Sequence, residues 1–220
     1  MRKTVIAAAA FALLLAALPA AALNTYLDGP NPAMWLSDPE GDDGDSGIEQ
    51  GDTVEGATGS AKVNDAGALI KVKATGLEPG HTYTMWVVYF NDASLCVDGC
   101  NGADLVAAGG GALWGAGTLG SAQGTGTFVA RLPDGAGADL VGTPPPPPFV
   151  FAAYEAGPNN EFHVVIRSHG PKIPGLVYEQ LHTATGGCET FVGPAPEQIG
   201  DFPVPAAEGE CGDIQLYVFK

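Results

Sequence analysis

The residues with most chemical reach lie between Glu161 and His182, where three of the chain's four histidines fall close together. In an extended strand, residues two apart share a face. The run from Glu161 to Ser168 therefore aims Phe162, Val164 and Ile166 at a core, and lines the opposite side with His163, Val165, Arg167 and, one step on, His169. His182 follows in a Gly- and Pro-rich loop that could fold back over that side, with Glu161 and Glu179 nearby. Three imidazoles and a carboxylate suffice for a zinc or copper site, so His163, His169 and His182 are the candidate ligands. The competing expectation is structural: Arg167 pairs with Glu179 to pin the loop, and the histidines are hydrogen-bonded or solvated.

Known metal chemistries on β-sandwiches are excluded by count and order. A copper-zinc dismutase site needs more histidines than these four, one of which, His81, sits in a turn. A blue-copper site needs a Cys followed by Met, whereas Met1, Met34 and Met85 all precede the first Cys. The run Asp38, Glu40, Asp42, Asp43, Asp45, Glu49, Asp52 has the oxygen donors calcium takes but no register of the EF-hand pattern, and reads as a solvated loop. Ser168 and His169 are strand neighbours pointing to opposite faces, and no Gly-x-Ser-x-Gly elbow is present. Glu179 and Glu189 could serve a glycosidase, but two acids in one loop carry little information. Gly109-Gly110-Gly111 opens no helix, so it is not a phosphate cradle.

Export sets the redox context. Arg2 and Lys3, the apolar run Val5 to Leu18, and the small residues Ala20, Ala21 and Ala22 form the three-part pattern of a secretory signal, predicting cleavage after Ala22. Residues 1–22 are thus expected to be a signal peptide, residues 23–57 an acidic Gly-rich segment, and residues 58–220 the folded domain, with a Pro-rich insertion at 140–160. No later stretch is apolar enough for a membrane helix, so a secreted or periplasmic, soluble protein is expected. In that compartment four cysteines read as disulfides. Of three pairings, Cys96 with Cys100 and Cys188 with Cys211 are favoured, each bracketing a loop beside a strand; no thiol then remains free. The net charge is −16, and losing Arg2 and Lys3 makes it more negative still, which argues against nucleic acid or anionic lipid as partners.

The elements that must position these residues are strands. Ser60 to Asn64 and Ala68 to Ala74 flank Asp65-Ala66-Gly67 as a hairpin, and Lys71 and Lys73 alternate with apolar residues to leave one face solvated. Tyr83 to Phe90 is apolar on both faces, which predicts a strand with core on one side and an insertion over the other. Ala112 to Leu119 and Gly124 to Leu132 are expected to form a second hairpin, and Ile214 to Phe219 the last strand. Pro144 to Pro148 is a stiff strut that cannot enter a sheet centre. Leu77-Glu78-Pro79-Gly80 before Tyr83 matches the corner of immunoglobulin-like sandwiches, where a Tyr hydroxyl ties back to backbone. About seven strands with no long helix predict an all-β fold, an immunoglobulin/fibronectin-like β-sandwich with long loop insertions.

Further matches are the strand Tyr83-Thr84-Met85-Trp86-Val87-Val88-Tyr89-Phe90-Asn91 followed by Cys96, and the run Ala112-Leu113-Trp114-Gly115-Ala116-Gly117. They continue with His163-Val164-Val165-Ile166-Arg167-Ser168-His169-Gly170-Pro171, Pro174-Gly175, Glu179-Gln180, Gly186-Gly187-Cys188 and Cys211-Gly212-Asp213-Ile214-Gln215. On these residues the chain resembles a family of exported bacterial β-rich proteins, from about Gly76 to Phe219, departing at Pro144 to Pro148 and Glu189 to Glu210. The resemblance implies a secreted β-sandwich and no activity. The function expected is a secreted, non-enzymatic module binding an extracellular ligand or protein through edge strands and loops. A zinc- or copper-binding protein is the alternative, and an extracellular hydrolase ranks third. No cofactor is named by these residues.

Overall fold

A computed structural model of the chain describes residues 31–35, 52–97, 99–143, 148–182 and 211–220. Nine strands lie among them: β1 (Asn31–Trp35), β2 (Thr53–Asn64), β3 (Gly67–Ala74), β4 (His81–Phe90), β5 (Gly111–Leu119), β6 (Gly126–Pro133), β7 (Phe149–Val150), β8 (Glu161–Pro171) and β9 (Cys211–Phe219). The single helical turn used below is α1 (Val177–Gln180). β1 falls inside residues 23–57, read above as an acidic Gly-rich segment ahead of the folded domain, and takes a place in the sheet between β2 and β9.

The expected two-sheet sandwich is overturned. All nine strands hydrogen-bond in one unbroken order, β6-β3-β2-β1-β9-β8-β4-β5-β7, and every pairing in that order is antiparallel. The sheet curls strongly into a half-barrel, so its own concave face supplies both walls of the core. Period-2 patterning states which face of each strand is apolar. It does not state whether that face meets a second sheet or the far end of the same one. Here the distant strands β5 and β6 come together inside the curl: a Cβ placed on Gly115 would lie 3.1 Å from the Ala130 Cβ and 2.9 Å from the Met85 Cε. A larger residue at Gly115 would hold these walls apart.

The first hairpin forms as expected. β2 and β3 pair in continuous register from Thr58↔Lys73 to Asn64↔Gly67, and the Asn64 side chain accepts the Ala66 amide. The second expected hairpin does not form. β5 pairs with β4 and β7, whereas β6 pairs with β3 in the other half of the sheet. Its linking turn is tied elsewhere: Leu77 N–H donates to Gly124 O, Gly80 N–H to Gly120 O, and Gly120 N–H to His81 O. Those bonds dock residues 120–125 on the turn before β4, so the chain crosses over instead of folding back.

The concave core gathers Ile70, Val72, Met85, Val87, Phe128, Phe162, Val164, Ile166 and Phe219, with four buried tyrosines, Tyr83, Tyr89, Tyr154 and Tyr217. Each tyrosine body is apolar while its hydroxyl finds a partner. Tyr83 accepts the Glu78 amide at 2.7 Å, as its corner motif predicts, even though the surrounding fold is not a sandwich. Tyr89 donates to Ala152 O, and Tyr154 to the Asn160 side chain. The convex side of β4 is buried too, as its two apolar faces require. The Cys96–Cys100 disulfide closes a loop that packs Cys100, Leu105 and Ala108 on Phe90, and Thr82 and Thr84 are fully buried, the first donating to Gly170 O and the second meeting the His169 ring. Cys188 and the Pro144–Pro147 run lie outside the described residues.

Candidate binding site on the outer face

The outer face of β8 carries the expected stripe, but the stripe does not converge. His163 is half-buried; its Nε2 lies 2.7 Å from Glu161 Oε1, and its ring packs edge-on against Phe90 at 5.1 Å. The Lys220 Nζ stands 3.7 Å from the same carboxylate oxygen. His169 is fully buried, with its Nε2 2.7 Å from Thr84 Oγ1, a hydroxyl that also accepts Trp86 Nε1–H at 3.0 Å. His182 is exposed, and its Nδ1 lies 2.7 Å from Tyr178 O. Each imidazole thus has a separate set of partners, and no group of three His, Cys, Asp or Glu side chains able to hold a metal occurs among the described residues. The ligand set His163, His169 and His182 is therefore not assembled.

The expected Arg167–Glu179 pair is also replaced. Arg167 Nε donates to Asp213 Oδ1 at 2.6 Å and its terminal nitrogen to Oδ2 at 3.0 Å, a two-pronged contact to the adjacent strand. A β-bulge between Ile166 and Arg167 against β9 sets Asp213 opposite Arg167. Such planar, paired geometry suits guanidinium and carboxylate. Glu179 sits on α1 and makes no ion pair among the described residues. Ser168 faces the core side with Tyr83 while His169 faces outward, so the two are separated as strand neighbours must be.

What the outer face does assemble is an aromatic stack. Trp114 on β5 lies over His182 at 4.7 Å and 22°, and Tyr178 covers the other ring face at 4.1 Å and 26°. Trp114 Nε1–H donates to Leu181 O at 2.9 Å, which locks the indole to the segment carrying its partners. Two features hold that segment down. The Gln180 side chain, fully buried, accepts the Ile173 amide and donates to the carbonyls of His169 and Pro171. Beneath it, Gly117 leaves the room: a Cβ there would sit 2.6 Å from Leu181 O. The stack nevertheless stays open to solvent, with Trp114 38% and Tyr178 71% exposed.

Sequence reasoning missed Trp114 and Tyr178 as site residues because one lies in a Gly-rich strand and the other in the single helical turn α1, with no spacing that links them. The signal that could have found Trp114 was a large aromatic followed by the small residues Gly115, Ala116 and Gly117, on a strand weak in its own propensity. Comparison with known proteins finds no matching family model, no similar curated protein and no similar solved structure. The functional reading therefore rests on this chain's own residues.

Proposed function

We propose that the protein is an exported, non-enzymatic binding module whose contact surface is centred on the Trp114–His182–Tyr178 stack. The observation that carries this reading is the exposure of a preorganised aromatic cluster on a rigid sheet. Burying Trp and Tyr normally yields a large gain, and leaving both open on a fixed scaffold suits a surface that gains it on contact with a partner. The rings lose little further freedom on binding, since Trp114 is tied to Leu181 O and His182 to Tyr178 O. Export is supported by the signal pattern of residues 1–22 and agrees with the disulfide joining Cys96 and Cys100. The partner is an extracellular ligand or protein presenting a flat, apolar face.

The test is retention of the purified chain on cell-surface material, comparing the native protein with Trp114→Ala and Tyr178→Ala and with Val106→Ala, an exposed residue of the loop over Phe90. Retention lost in the two aromatic variants and kept in the third supports the reading. Equal retention of all three refutes the site. Stoichiometric zinc or copper that disappears in a His163/His169/His182→Ala variant, or turnover of any substrate, would replace the binding reading itself.

A further inference from the structure

Among the described residues no segment covers the convex face of β2, β3 and β6, which carries a charge opposite to that of the whole molecule. Lys62, Lys71, Lys73 and Arg131 are all exposed there, four of the nine basic residues in a chain of net charge −16. Register brings them together. Thr58, Lys73 and Thr127 lie abreast across the three strands, then Ser60, Lys71 and Val129, then Lys62, Leu69 and Arg131. Alternate residues on a strand are about 7 Å apart, so the cations occupy three successive levels over about 14 Å. Lys71, Lys73 and Arg131 form no ion pair among the described residues. Over the first two of these levels runs a shallow open groove of about 260 Å3, whose lining includes Thr58, Ser60, Lys71, Lys73 and Thr127, with Lys62 and Arg131 at the level beyond it.

We propose that this groove binds a linear anionic polysaccharide lying along β3. The lysines supply point charges for carboxylates set along a chain, and the three hydroxyls can exchange hydrogen bonds with sugar hydroxyls. Single-stranded nucleic acid fits less well, because the groove offers no aromatic ring on which a base could stack. The molecule's overall negative charge does not forbid the contact. The screening length is about 8 Å at physiological salt, so a ligand in the groove responds chiefly to the local cations; at about 0.01 M salt it extends to about 30 Å and the whole acidic surface opposes approach. Affinity is thus highest at intermediate salt, unlike that of a uniformly basic protein, which falls steadily as salt is added.

Binding of the full chain to a fluorescent oligogalacturonate, followed by anisotropy across a salt series, tests this. The expected result is saturable binding with a maximum at intermediate salt. Lys71→Gln with Lys73→Gln should weaken it by about fivefold or more, two surface charge contacts being removed. Lys172→Gln, remote from the groove, should leave it unchanged, and neutral dextran should not compete. Equal affinity of the double variant, absence of binding at every salt concentration, or tighter binding of a single-stranded oligonucleotide of equal charge would overturn the proposal. Because Trp114 and Tyr178 take no part in this groove, loss of the aromatic site would leave the result intact.

Discussion

At the scale of single residues, polar atoms placed in or beside the core are matched to named partners. Tyr83 is the sharpest example. Its hydroxyl accepts the Glu78 amide and meets Ser168, and burial pushes its pKa up to about 12. Tyr83→Phe removes the hydroxyl while keeping the ring, and should lower stability by about 1 kcal/mol, seen as a lower urea midpoint at unchanged slope. His81, at the start of β4, behaves in the opposite sense. Burial holds its pKa below the ordinary 6.5, against the weaker opposing pull of Glu78. The unfolded chain then binds this proton more readily than the folded one, so its contribution to stability is complete above pH 6.5 and declines as pH falls below that value. Urea midpoints from neutral to acid pH should fall less steeply in His81→Gln than in the native chain.

Elements, rather than single side chains, decide whether the aromatic site exists. β5 contributes Trp114 and the seat at Gly117, and residues 171–182 contribute Tyr178, His182 and the Gln180 anchor. Gly117→Ala would put a methyl 2.6 Å from Leu181 O and 2.8 Å from the Leu181 Cβ. Either the segment lifts or β5 shifts, at a cost of about 1–3 kcal/mol. The expected signature is a changed near-ultraviolet circular dichroism from Trp114 together with weakened retention on cell-surface material, although the added methyl itself would touch no partner. An unchanged aromatic signal would mean that the segment is not held against β5. The disulfide loop is the matching cover on the other end of β4, over Phe90.

For the whole molecule, the curl of one sheet ties distant parts into a single core, so its buried tyrosines should titrate together. Burial raises the pKa of Tyr83 and Tyr89 to about 12 and those of Tyr154 and Tyr217 further, from an ordinary value of 10.0. The folded state therefore keeps these protons where the unfolded chain releases them. Their contribution to stability is complete below pH 10 and is lost as pH rises toward about 12. The tyrosinate absorbance contributed by these four buried residues should rise in one cooperative step coincident with loss of the β-sheet signal. Separate, gradual titration of the tyrosines without unfolding would show that they are not enclosed in a common core.

Local rules made much of this legible in the amino-acid sequence. Apolar patterning placed β3, β4, β8, β9 and the Ser60 to Asn64 half of β2, the apolar-on-both-faces pattern of β4 foretold a covered outer face, and the Leu77 to Tyr83 motif foretold the hydroxyl tie to Glu78. The loop that Cys96 and Cys100 bracket beside a strand likewise pointed to their bond. Each of these depends on residues near one another along the chain. The single curled sheet, the separation of β5 from β6, and the insertion of β1 beside β9 were decided only by tertiary structure. They depend on which strands pair across long intervals and on whether Gly115 lets opposite walls meet. The histidine site failed for the same reason. Shared strand parity put His163, Arg167 and His169 on one face, but convergence on a point requires the loop to return there, and Gly117 and Gln180 seat that loop so that His182 stacks on Trp114 instead.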